Sequence, residues 1–180
     1  VRWFVMEQSW LEPFSVWYRT LVRPVYPLLL LMFAGAAYVA GRHRVMQRLE
    51  YGSDKIGNVT KDRFRYPFEA LFGTVLLALP LPLLLSVLAY PLVSQNEASL
   101  FAAGVGSAFL VLARWVFLFE FMRHLVRRKG LAQGHFRWRE SSIVALKRWL
   151  PLLYLQLPGA FVFIVVWREG DELHSGILGR

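Results

Sequence analysis

The chain has 180 residues, 56% hydrophobic and 18% charged, with no cysteine, and its mean hydropathy is +0.40. This is too apolar for a soluble domain of that size, and the apolar runs are continuous rather than alternating, which argues against a β-barrel. The net charge of +9 would suggest nucleic acid in a soluble protein, but here the basic residues flank hydrophobic spans, so membrane orientation and anionic lipid headgroups explain them more simply.

The class implied is all-α integral membrane, as a single transmembrane domain over residues 1–180. About four transmembrane helices are expected, with a central antiparallel hairpin and an N-terminal interfacial helix. Without cysteine there is no disulfide framework, no thiolate nucleophile and no Cys-based metal site. The chain starts at Val1, and residues 1–23 lack the uninterrupted apolar core of a signal peptide. The last residues stop abruptly after a polar loop. Both ends read as cut, so the chain is expected to be a fragment of a longer polypeptide.

Residues 1–23 place Trp10, Phe14, Trp17 and Leu21 on one helical face, with Glu12 and Arg19 opposite. An aromatic face of this kind suits the membrane interface, with Trp10 and Trp17 as candidate anchors. The alternative is packing against a neighbouring protein segment. The first span is expected at 24–41, an uncharged run that just reaches across a bilayer at about 1.5 Å per residue. Its Ala34-Gly35-Ala36-Ala37 patch would let another helix approach closely.

Residues 42–66 form a basic polar linker, with Gly52-Ser53-Asp54 as a helix stop. Asn58-Val59-Thr60 matches a glycosylation acceptor, which the orientation argued below discounts. The second span is expected at 68–93, where residues 70–93 carry no charge. It holds Pro80, Pro82 and Pro91. Pro80 and Pro82 are candidate bend points, because proline removes a backbone donor and kinks a helix. Such a bend reads either as a hinge or as a static kink that fits its neighbours.

A five-residue polar break at 94–98 separates this run from the next. A break that short connects antiparallel neighbours. The third span is expected at 99–122. Its small residues from Ala102 to Ala108 recur four apart and make a close-packing face, whose simplest partner is the second span. Residues 123–148 form a second basic connection, with Ser141 or Ser142 as a cap for the helix leading onward. The fourth span, 149–167, is bracketed by Trp149 and Trp167, two further candidate interface anchors. Pro158 is a third candidate bend point.

Orientation follows from charge. Linker 42–66 carries seven Lys/Arg and 123–148 carries eight, against none at 94–98 and one at 168–174. The positive-inside rule places both linkers in the cytoplasm and the N-terminal end, hairpin turn and C-terminal tail across the membrane.

Arg114 is the one charge well inside a span. It stands about six residues, or roughly 10 Å, from the cytoplasmic end, so it snorkels to the headgroups more readily than it serves an ion path. Glu120 can pair with Arg123 or His124 at spacings of three and four. The histidines are scattered, and none stands at metal-ligand spacing. No catalytic triad, phosphate loop or carboxylate pair stands out. The expectation is no enzyme, no cofactor, no metal and no nucleic-acid partner.

One segment is specific: Gly130-Leu131-Ala132, then His135-Phe136 and Trp138, after a basic run that ends a span. It resembles the large mechanosensitive channels of the MscK/MscM type, relatives of MscS in bacterial inner membranes. The order of span, basic linker, proline-rich span, motif and further span is also similar. The resemblance implies a tension-opened homo-oligomer, a heptamer, whose pore helix and β-rich vestibule lie beyond these residues. It implies that this segment is part of a lipid-facing paddle, with a periplasmic N-terminal end. The motif would be structural. The partners expected are membrane lipids, including anionic headgroups, and the remainder of the same polypeptide. The function implied is coupling of membrane tension to a pore elsewhere. A non-gating scaffold or assembly subunit is the alternative from another class, and a small transporter is a third.

Overall fold

The computed structural model describes residues 7–22, 25–53, 65–94, 99–127, 131–134, 136 and 138–178. No strand occurs among them. The helices are α1 (Glu7–Trp17), continued by a π-helical turn Tyr18–Val22, α2 (Val25–Ser53), α3 (Arg65–Ala78), α4 (Pro80–Ser94), α5 (Leu100–Leu125), α6 (Leu131–Gly134), α7 (Glu140–Leu155) and α8 (Leu157–Leu178). In hydrocarbon every backbone polar group must be satisfied within the chain, and helices do this locally.

Among the described residues α5 alone is a single unbroken helix long and apolar enough to cross a membrane. Two bent pairs raise the number to three if each counts as one span. Phe68–Ala78 with Pro80–Ser94 bends by 46°, and Glu140–Leu155 with Leu157–Arg168 bends by 42°. The expected four spans therefore stand at one to three. Of the run at 24–41, residues 25–41 fall in α2, while residue 24 and the side chains of residues 25–28 and 30 lie outside the described residues.

One helix boundary differs from expectation, and two helices run on past the expected membrane spans. Helix α2 runs past the expected membrane span to Ser53, where the Gly52-Ser53-Asp54 stop was expected. Arg, Met, Gln, Leu and Glu are good helix formers, so a polar stretch rich in them extends the helix. Helix α7 starts at Glu140, and both Ser142 and Ile143 donate backbone bonds to the Arg139 carbonyl, at 3.0 and 3.3 Å. The start thus precedes the serines expected to cap it, and it puts an acidic residue in the first turn, where the helix dipole favours one. Finally, α8 continues past Trp167.

The second span is broken at Leu79 for a local reason. Pro80 and Pro82 have no N–H to give to the carbonyls of Leu76 and Ala78, and their rings crowd the preceding turn. Pro80 is tolerated as the first residue of α4, where its N–H would be an orphan anyway. The fourth span breaks at Gln156, two residues before Pro158.

The chain forms two compact units. The first is Val1–Met32, Pro82–Arg114 and Gln156–Arg180. Its core joins Val16 of α1, Leu92 of α4, Phe101, Ala102, Val105 and Ala108 of α5, and Val165 of α8. The second is Phe33–Leu81 and Trp115–Leu155. There Leu131 and Ala132 of α6 are buried, and α6 packs against α3 and α7.

Candidate functional site

The first unit is organised around the small residues of α5. A Cβ built on Gly106 would lie 2.7 Å from Val93 Cγ2 and 2.8 Å from Leu92 Cβ. Only glycine allows α4 to come this close, so the small-residue face does meet the proline-rich run. Gly104, half a turn away, looks at α8 instead. Its Cβ would meet Val165 and Arg168 at ordinary distances of 3.8–3.9 Å.

Helix α1 is held to this unit by its aromatic residues. Trp10 sets its ring edge-on to Phe101 at 5.1 Å. Trp17 stacks its ring edge on Phe109 at 5.9 Å and donates its indole N–H to the Leu88 carbonyl at 2.7 Å. Leu88 lies one turn before Pro91, whose missing donor loosens the carbonyls of that turn. In the second unit a carbonyl beside the Leu79 break is treated alike: the Tyr38 hydroxyl donates to the Leu77 oxygen at 3.1 Å. Both prolyl stretches thus draw a hydrogen bond from an aromatic side chain of another helix, as apolar surroundings require. Leu11, Phe14 and Tyr18 of the same N-terminal segment point outward.

The polar centre of the second unit is Glu120. It is 7% exposed, and a buried carboxylate is costly unless it is paired and hydrogen-bonded. Arg123 donates Nε–H to Oε2 at 3.0 Å and brings Nη2 to the same oxygen. His124 Nε2 stands 3.6 Å from Oε2. The i, i+3 and i, i+4 spacings foresaw both. They did not foresee Tyr154 of α7, whose hydroxyl donates to Oε1 at 2.8 Å. Glu120 thereby ties α5 to α7. These groups line a cleft of about 830 Å³ together with Arg42, Arg127 and Lys147.

Arg114 is exposed and has no ion-pair partner among the described residues. Trp149 and Trp167 are exposed. Within the motif, Phe136 and Trp138 donate backbone N–H groups to the carbonyls of Leu131 and Ala132, each at 2.9 Å. The segment is a closed turn over a short helix, with Leu131 and Ala132 inward and Phe136 and Trp138 outward. Gly130 and His135 lie outside the described residues. Among the described residues no three His, Asp or Glu side chains converge as metal ligands.

The family comparison settles what such a helical unit belongs to. The family model "Mechanosensitive ion channel inner membrane domain 1" matches residues 24–180. The chain belongs to this family. The inner membrane domain is also 29% identical over 168 residues to the miniconductance mechanosensitive channel MscM of Escherichia coli K12. That match covers 92% of the chain and 15% of MscM, so the domain spans a small part of the curated relative. No solved structure matches the domain significantly. The domain is therefore a membrane module of the MscS superfamily, of the MscK/MscM type.

Proposed function

We propose that this domain couples bilayer tension to a pore carried by another part of the full polypeptide. The observation that carries the reading is the 46° break at Leu79 inside an uncharged apolar run, in a chain of the mechanosensitive family. A bent span of fixed length changes its membrane thickness and footprint as the bend opens or closes. Tension favours the arrangement that occupies more area, because the two arrangements differ in free energy under load. Pro80, Pro82 and Pro158 set where bending happens.

The remaining parts of the reading follow from charge and exposure. Linkers 42–66 and 123–148 face the cytoplasm, and both ends of the segment are periplasmic. Trp149 and Trp167, 61% and 63% exposed, sit at the two interfaces, with Trp10 and Trp17 near the N-terminal one. Arg114 snorkels. Outward-facing Phe33, Tyr90 and Leu155, each more than 70% exposed, meet lipid or the next subunit of a homo-oligomer.

The test is patch recording from the full-length channel with Pro80→Leu and Pro82→Leu together. A straightened span is expected to shift the suction needed for opening. An unchanged threshold in a conducting channel counts against the coupling and in favour of a non-gating scaffold.

A further inference from the structure

The Glu120 cleft carries more positive charge than its own carboxylate balances. Arg42 reaches it from α2 and Lys147 from α7. Glu120 is the one acidic group among the described lining residues, and Arg123 engages it. Neither Arg42 nor Lys147 forms an ion pair with a described residue. Two cations facing one cleft from separate helices favour an anion there. The lining also holds apolar Met46, one turn from Arg42, and Leu150 and Pro151, one turn from Lys147. Along α7 beyond the cleft, Leu152 and Leu155 are exposed.

We infer that this cleft binds an anionic phospholipid, with its phosphodiester held by Arg42 and Lys147 and an acyl chain laid along α7. Arginine matches phosphate oxygens in a two-pronged fashion, and lysine adds a point charge. A cleft of this volume falls in the range that holds small ligands. Free phosphate would use the cations but leave the apolar lining and exposed Leu155 uncovered. A phospholipid uses both. The inference rests on the chain lying in a bilayer and not on its gating role.

The test uses the full-length channel, purified in detergent and stripped of lipid. Phosphatidylglycerol, phosphatidylcholine and inorganic phosphate are added in turn, and bound lipid is counted by native mass spectrometry. Phosphatidylglycerol is expected to bind in preference to phosphatidylcholine. Arg42→Gln with Lys147→Gln is expected to weaken that binding about thirtyfold. Both positions are exposed, so the variant keeps its fold, and Lys147→Arg retains binding. Equal retention in the double variant overturns the site. So does equal binding of the two lipids, and displacement of phosphatidylglycerol by an equal concentration of inorganic phosphate assigns a free-anion site instead. Because lipid retention is read without tension, a channel whose threshold ignores the Leu79 bend leaves this result untouched.

Discussion

The Glu12 carboxylate accepts the backbone N–H of Ser99 at 2.9 Å, across 87 positions of sequence. Ser99 Oγ in turn accepts the N–H of Ala102 at 3.2 Å. Two orphan donors at the head of α5 are satisfied as in a capping box, but the carboxylate comes from another helix. It also places negative charge at the positive end of a 26-residue helix. Replacing Glu12 by Ala is expected to cost about 0.5–2 kcal/mol. Glu12→Gln keeps an acceptor and loses the charge, so it falls between. Thermal unfolding of the purified protein checks the order wild type, Gln, Ala.

Gly106 and Gly104 should respond oppositely to alanine. At Gly106 the added Cβ collides with Leu92 and Val93 of α4, whereas at Gly104 it makes ordinary contact with α8. Gly106→Ala is expected to destabilise the first unit by about 1–3 kcal/mol. Gly104→Ala should be neutral or slightly stabilising, since alanine favours the helix. The same unfolding measurement distinguishes them.

Trp17→Phe preserves most of the ring packing on Phe109 and removes the indole donor to Leu88. The expected loss is about 0.6 kcal/mol, the mean for side-chain hydrogen bonds between membrane helices. Hydrogen exchange of the backbone amides of α4 should rise around Leu88 and Pro91. Unchanged exchange there would show that the bond does not hold the prolyl turn.

Tyr154→Phe strips Glu120 of its one partner on α7. A loss of about 1 kcal/mol is expected. Glu120→Gln removes the charge that Arg123 and His124 face, but a side-chain amide still accepts from Tyr154. The double substitution should therefore fall short of the sum of the singles, since Tyr154→Phe removes only a neutral hydrogen bond once the charge is gone. Unfolding of the four proteins closes that cycle.

The sequence revealed what repeats locally. Glu120 with Arg123 and His124 follows from helical spacing, and the apolar runs follow from their lack of charge. Prolines marked the neighbourhoods of both breaks, since their effect acts within one turn. Small residues four apart showed which face of α5 would be approached. The links between distant segments were not legible. Glu12 reads as a surface acid, Tyr154 as one more residue of an apolar run, and Tyr38 likewise. Their roles depend on which helix lies opposite, and no period within the chain encodes that. The end of α2 at Ser53 was legible in Gly52-Ser53-Asp54, and the polar residues before it continue the helix because their propensity is good.

The contact at Gly106 has a mechanical corollary. Sliding α5 along α4 by one turn would bring Ala102, Ala103, Phe109 or Leu110 to the place of Gly106, where even a Cβ does not fit. The contact thus sets the axial register of α5 against α4, and one glycine decides which alignment of the two helices the first unit can assemble.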